Sequence, residues 1–162
     1  DRDGTRRHVR DPRQGWVQPV KASIRAVLAA KQRVVETIDP DVPVLQAVHR
    51  MNEQHIGSLV VTENTILVGI VTERDMLLRV LMSRRDPETT SVRDVMTHDP
   101  VVLDLDATVE EALAVVSRSR CRHLPVVQRG MLCGLISAGD LTAWIVRDQR
   151  RTIEDLYDYV TR

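Results

Sequence analysis

The chain has 162 residues, 43% of them hydrophobic and 28% charged, the balance of a soluble globular protein and too apolar for a disordered one. Aromatics make up 2% with no Phe, so the core is expected from Val, Leu, Ile, Ala and Met, which argues against aromatic platforms for single-stranded nucleic acid or sugars. Twenty-three basic residues balance 23 acidic ones, leaving no net charge to attract a nucleic acid. The two cysteines, Cys121 and Cys133, make no disulfide framework and fit a reducing compartment. No apolar stretch approaches the roughly 18 residues that span a bilayer. The amino end shows no signal-peptide pattern, although residue 1 is Asp and not Met. A cytoplasmic protein without a membrane partner is the expectation.

Residues 1–20 hold five Arg against three Asp and no apolar period. They read as a flexible basic extension over 1–22 or as an arm for a partner or nucleic acid. Ile24, Val27 and Leu28 suggest a helix at the start of the first structural unit. Val34–Ile38 is a β-branched strand candidate closed by Asp39 and Pro40. Val44, Ala47, Val48 and Met51 fall at i, i+3, i+4 and i+7, the stripe of a core-facing helix. Ser58–Thr62 and Ile66–Val71 read as strands around the turn Glu63-Asn64-Thr65, and Met76, Leu77, Val80 and Leu81 return to helical spacing. Ser83–Thr90 is a polar linker, and Ser91–Met96 a short helical lead-in.

The order then repeats. Val101–Leu105, a helix over Val109–Ser117, Leu124–Val127, Met131–Ile136 and a helix over Leu141–Val146 give β-α-β-β-α a second time, and Thr108 with Glu111 makes a capping box. Gly69-Ile70-Val71-Thr72-Glu73-Arg74-Asp75 and Gly134-Leu135-Ile136-Ser137-Ala138-Gly139-Asp140 align at an offset of 65 residues. The same offset aligns Asp39 with Asp104, Val44 with Val109, Leu59 with Leu124 and Val61 with Val126, without a gap. Ile153, Leu156, Tyr157 and Val160 then mark an amphipathic helix over 151–162. The expected division is 1–22, a first unit over 23–85 with its lead-in helix, a second over 86–150 with its own, and the tail. The fold class is α/β (α+β), two tandem units.

A doubled unit of this order, with Gly-h-h-[Ser/Thr]-x-x-Asp where the third strand meets the second helix, resembles a tandem pair of cystathionine-β-synthase (CBS) domains. Asp94-Val95-Met96-Thr97 before Asp99-Pro100-Val101, Arg122-His123-Leu124-Pro125-Val126-Val127 and Ile56-Gly57-Ser58-Leu59-Val60-Val61 stand where that family has its other signatures. The resemblance covers about residues 24–150. It implies two units packed about a pseudo-two-fold axis with two equivalent clefts. Their ligands would bear adenosine: AMP first, otherwise ADP, ATP, NAD(H) or S-adenosylmethionine. It also implies a homodimer and an unidentified regulated protein, with no cofactor, no metal and no catalytic residue. A stand-alone, non-enzymatic sensor is expected, with a constitutive interaction scaffold as the alternative; a nucleic acid is not the expected partner.

The motif itself supports two readings. Thr72-x-x-Asp75 and Ser137-x-x-Asp140 are capping-box spacings. A helix amino terminus also suits a phosphate, and a carboxylate held there can accept both hydroxyls of a ribose. Gly69 and Gly134 either clear room for a ligand or permit tight packing. The resemblance places Ile70, Thr72 and Asp75 in a first cleft, faced by Pro100, Val101 and Val102 for the base and Arg122 and His123 for phosphate. The second cleft takes Leu135, Ser137 and Asp140, faced by Val35, Glu36, Thr37, Gly57 and Ser58. No basic residue stands at the Arg122 and His123 equivalents there, and Glu36 adds negative charge, so the Asp75 cleft is expected to be the stronger phosphate site.

Other constellations carry less. Cys121, His123 and Cys133 are too few for zinc, and Cys133 reads as a small buried hydrophobe. His49 and His55 belong on a solvated side. Met51, Met76, Met82 and Met96 read as core or interface filler. Trp144 belongs either to a dimer face or to its own core; with Leu141, Ile145, Leu156, Tyr157 and Val160 it gives more apolar helical surface than one small unit covers, which is why a homodimer is expected. No dinucleotide loop or P-loop is present.

Overall fold

The computed structural model describes residues 22–160, with the side chains of Thr152 and Asp155–Val160 left aside. Among the expectations, residues 1–21 of the extension over 1–22 and the side chains of Leu156, Tyr157 and Val160 lie outside the described residues. The first half runs α1 (Ile24–Lys31), β1 (Thr37–Ile38), α2 (Val44–Gln54), β2 (Ser58–Glu63), β3 (Ile66–Thr72) and α3 (Glu73–Asp75), which continues as a π-helical stretch, Met76–Leu81. The second runs β4 (Thr97–His98), β5 (Leu103–Asp104), α4 (Val109–Ser119), β6 (His123–Gln128), β7 (Met131–Ser137) and α5 (Ala138–Val160). The architecture is mixed α/β, as the sequence implies.

Each unit builds one mixed sheet. β1 lies parallel to β2 with Thr37 opposite Val60, β2 is antiparallel to β3, and β4 closes the edge with Gly69 opposite His98. In the second sheet β5 lies parallel to β6, and β6 antiparallel to β7 with His123 opposite Ser137. The 65-residue offset survives in detail. Both hairpins carry a register shift at the same place, Val61/Thr62 and Val126/Val127. Both turn through two residues of positive φ, Asn64 and Thr65 in one and Arg129 and Gly130 in the other, the form that matches the twist of paired strands. The first long helix of each unit ends on a left-handed residue, His55 in one and Arg120 in the other.

The two hydrophobic cores exchange pieces. The first gathers Ile38, Val44, Ala47, Met51, Leu59, Val61, Val71, Met76 and Val80 with Val92, Val95 and Met96, the lead-in to the second unit. The second gathers Leu103, Val109, Ala112, Leu124, Val126, Ile136 and Leu141 with Ile24 and Val27 of α1. Ser23 caps α1 by accepting from Ala26 N, while Ile24 N and Arg25 N donate to Ala107 O and Leu105 O. Each lead-in thus precedes one unit and is buried in the other. The repeat glycines serve this exchange: a Cβ on Gly134 would stand 2.6 Å from Leu28 Cδ1, and one on Gly69 2.6 Å from Met96 Sδ.

Several expectations change. The helix expected over 141–146 and the separate tail helix form one element, α5, of 23 residues, because no Pro falls within it and its one Gly is in the first turn. The strand expected at Val34–Ile38 shrinks to two residues, since the register with β2 covers Thr37 and Ile38 alone, and Val34 is 88% exposed. β5 likewise keeps only Leu103–Asp104 of the expected Val101–Leu105. Val48 is exposed while Val44, Ala47 and Met51 are buried. Ser91–Met96 forms a turn closed by Met96 N donating to Val92 O, not a helix. Cys133 is exposed, because its neighbours Gly134 and Ile136 take the inner positions. Of the helix face read as a dimer surface, Leu141 is fully buried, and Trp144 and Ile145 pack against the second core.

The π-helical stretch redistributes the apolar side chains after Asp75. Its widened turns are closed by Met82 N donating to Leu77 O and Arg85 N to Val80 O, both 3.0 Å. Met76 and Val80 enter the core, while Leu77, Leu78, Leu81 and Met82 remain exposed.

Candidate functional site

The two Ser/Thr-x-x-Asp motifs are built alike at the strand-to-helix junctions. Thr72 N and Oγ1 donate to Asp75 Oδ2 at 2.8 and 2.7 Å, and Asp75 N donates back to Thr72 Oγ1 at 3.3 Å. Ser137 N and Oγ donate to Asp140 Oδ2, both at 2.8 Å, and Asp140 N donates to Ser137 Oγ at 3.1 Å. Each is a complete capping box, which satisfies backbone donors the helix would otherwise leave open. In both, one carboxylate oxygen carries the cap.

The surroundings of the two acids differ. Asp75 is buried to 9% exposure, with Oδ1 3.4 Å from Arg79 Nη1. That guanidinium also donates to Val95 O and Met96 O, tying α3 to the exchanged lead-in. Asp140 meets Lys31, the last residue of α1, whose Nζ stands 2.7 Å from Oδ2 and donates to Leu135 O at 3.0 Å. Burial pushes the Asp140 carboxyl up, but the hydrogen bonds from Lys31 and Ser137 outweigh it and hold it below the usual carboxylate range.

A cavity of about 210 Å³ opens beside Asp140, between the units. The second unit lines it with Leu135, Ser137, Asp140 and His123, the first with Val35, Glu36, Gly57 and Ser58, and Lys31 and Arg33 at the end of α1 complete the lining. A second hollow of about 280 Å³ adjoins it, shares Lys31, Arg33 and Asp140, and adds Val27, Ala143, Trp144 and Arg147. Trp144 Nε1 is buried there without an acceptor among the described residues. Glu36 is neutralised by Arg50, whose Nε lies 3.1 Å from its Oε2. His123 is held below the ordinary imidazole value by burial first and then by Lys31 and Arg122, with Asp140 and Glu73 opposing.

The structure thus brings together most of the second-cleft residues: Val35, Glu36, Gly57, Ser58, Leu135, Ser137 and Asp140 share the 210 Å³ cavity. Thr37 does not line it and is held in β1 opposite Val60. Of the first-cleft residues, His123 lies in the Asp140 cavity, because its pairing with Ser137 carries it there. Ile70, Thr72, Asp75, Pro100, Val101, Val102 and Arg122 line neither cavity. Val101 and Val102 are over 40% exposed, and Arg122 is exposed with its carbonyl accepting from Ala138 N. In the Asp140 cleft no basic residue was expected at the Arg122 and His123 equivalents. Lys31 and Arg33, missed in the sequence, supply two. The available signal was the offset itself, which sets Lys31 opposite Met96 and so breaks the repeat beside the motif.

The two junctions are built alike, each packed against a lead-in exchanged between the units. The CBS domain model matches residues 26–81 and 92–147. The chain belongs to the CBS domain family. Among curated relatives it is 31% identical over 125 residues to the CBS domain-containing protein CBSX3, mitochondrial, of Arabidopsis thaliana, covering 74% of this chain and 61% of that one. The chain therefore spans less than two thirds of that CBS protein's length. Among solved CBS structures, a putative signal-transduction protein with CBS domains from Burkholderia ambifaria MC40-6 is 34% identical, with a TM-score of 0.76 over 79% of this chain and 96% of that one. The solved complex of CBSX2 with AMP shares the fold at 24% identity, with a TM-score of 0.62 over 70% of this chain and 89% of that one. No helix among the described residues is long and apolar enough to cross a membrane.

Proposed function

We propose that this CBS pair is a non-enzymatic sensor of an adenosine-bearing ligand, AMP first among candidates, which binds between the units and is read by a regulated partner protein. The observation that carries the reading is the cavity at Asp140. A helix-capping carboxylate suited to a ribose diol, an apolar wall for a base and two cations for a phosphate converge on one opening between two units. Ligand seated there touches both halves, so it favours whichever relative arrangement it binds better. The fold of the CBSX2 complex with AMP makes that ligand the first probe. This reading moves the stronger phosphate site from the Asp75 cleft to the Asp140 cleft, on the charge of Lys31 and Arg33.

The sensor is further read as a cytoplasmic homodimer. Leu77, Leu78, Leu81 and Met82 form one exposed apolar face after Asp75, and contiguous faces of this kind mark interaction surfaces. A scaffold without ligand is the second reading, favoured by both capping boxes being complete without one. Thermal unfolding with AMP, ADP, ATP, NADH and S-adenosylmethionine separates the two. Ligand at 100 times its dissociation constant stabilises by about 2.7 kcal/mol, a rise of about 5–10 °C for a chain of this length. Lack of any shift at millimolar ligand leaves the scaffold.

A further inference from the structure

Lys31 occupies the carboxylate that a ribose diol would need. Asp140 Oδ2 already takes three donors, Ser137 N, Ser137 Oγ and Lys31 Nζ. A vicinal diol that spans both carboxylate oxygens brings a further donor to Oδ2, whose acceptor capacity the three present donors already fill. Ser137 is held by the capping box, so Lys31 is the donor that can leave. Its side chain is only 22% exposed, and removing its counter-charge in a partly buried setting is costly unless another anion replaces it. Arg33, an exposed residue that also lines the cavity, has no ion-pair partner among the described residues. Glu36, the nearby acid that would favour a cationic ligand, is already engaged by Arg50.

We propose that Lys31 sets the ligand specificity of the Asp140 cleft: the incoming diol displaces its ammonium from Asp140, and only a ligand that also carries an anionic group gives that ammonium, together with Arg33, a new counter-charge. The cleft therefore takes a nucleoside phosphate and discriminates against the unphosphorylated nucleoside and against a cationic one. The inference rests on the proposed nucleotide function and adds to the charge of Lys31 a change of partner, from Asp140 to the ligand. Because Lys31 ends α1, an occupied cleft also releases α1 from Asp140 and Leu135 O, carrying ligand state to the amino-terminal side of the chain.

Calorimetry on the full chain with AMP, adenosine and S-adenosylmethionine tests it. The parent protein should bind AMP at least about tenfold more tightly than adenosine, the effect of one charge-assisted hydrogen bond, and S-adenosylmethionine more weakly than AMP. Lys31→Met should weaken AMP while leaving adenosine unchanged or tighter, bringing the two together, whereas Lys31→Arg should keep the preference. Arg33→Ala, at an exposed position, should lower AMP affinity alone and provides the same readout if Lys31→Met fails to fold. A parent that binds all three ligands, with an AMP-to-adenosine ratio that neither Lys31→Met nor Arg33→Ala moves, overturns this inference and leaves the nucleotide function standing. A parent that binds none of them, and none of ADP, ATP and NADH, overturns both.

Discussion

Gly69 sits directly against Met96: a Cβ at position 69 would stand 2.6 Å from Met96 Sδ and 2.9 Å from Thr97 O. The second distance decides the consequence, since a thioether can turn aside and a backbone carbonyl in a sheet edge cannot. Gly69→Ala should therefore destabilise the fold by about 1–3 kcal/mol, the cost of overpacking. Gly134→Ala should cost less, because the three nearest atoms it would meet all belong to the Leu28 side chain. Urea unfolding of both variants checks the order, and an equal loss would contradict it.

The two hairpin turns supply an internal control. Thr65 has φ 69° where its counterpart is Gly130 with φ 77°. A β-branched residue at positive φ is strained, so Thr65→Gly should raise stability by about 0.5–1 kcal/mol despite the entropy glycine loses on folding. A measured decrease would show that Thr65 makes a compensating contact.

His123 should make stability fall with acidification. It faces Lys31 and Arg122, which oppose its protonation, and Asp140 and Glu73, which favour it, and burial lowers it below its unfolded value of 6.5. Below that pH the unfolded chain binds a proton that the folded chain refuses, so the contribution is full above pH 6.5 and is lost as pH drops toward the folded value. Unfolding free energies from pH 7.5 to 5 should show a decline that His123→Gln reduces.

If the Leu77, Leu78, Leu81 and Met82 face joins two copies, light scattering should give about twice the 18.4 kDa of one chain. Leu81→Glu should return the mass to one chain without loss of melting cooperativity, because Leu81 is 65% exposed and absent from the core. A parent of single-chain mass contradicts the dimer.

Much of the fold was legible because one ungapped offset aligns strands, turns and motifs, so each element has a second witness. Ile24, Val27 and Leu28 marked α1 as a helix with one apolar face, yet periodicity tells only that a face is covered, not by which unit. The same limit hid the site. Asp140 and Ser137 could be read from a motif, but Lys31 lies 109 residues away and reaches them only because α1 crosses to the second core. The end of a helix is legible only where something stops it, and nothing between Leu141 and Val160 does.

The exchanged lead-ins make the pair, and not the copy, the smallest piece that can fold. A fragment ending near residue 85 would keep β1, β2 and β3 but lose β4 and three members of its core, Val92, Val95 and Met96. It would also carry α1 with no surface to receive Ile24 and Val27. Cut in the polar linker, the chain should yield two halves that are each unfolded alone and regain structure only when mixed, and intact it should melt in one cooperative step.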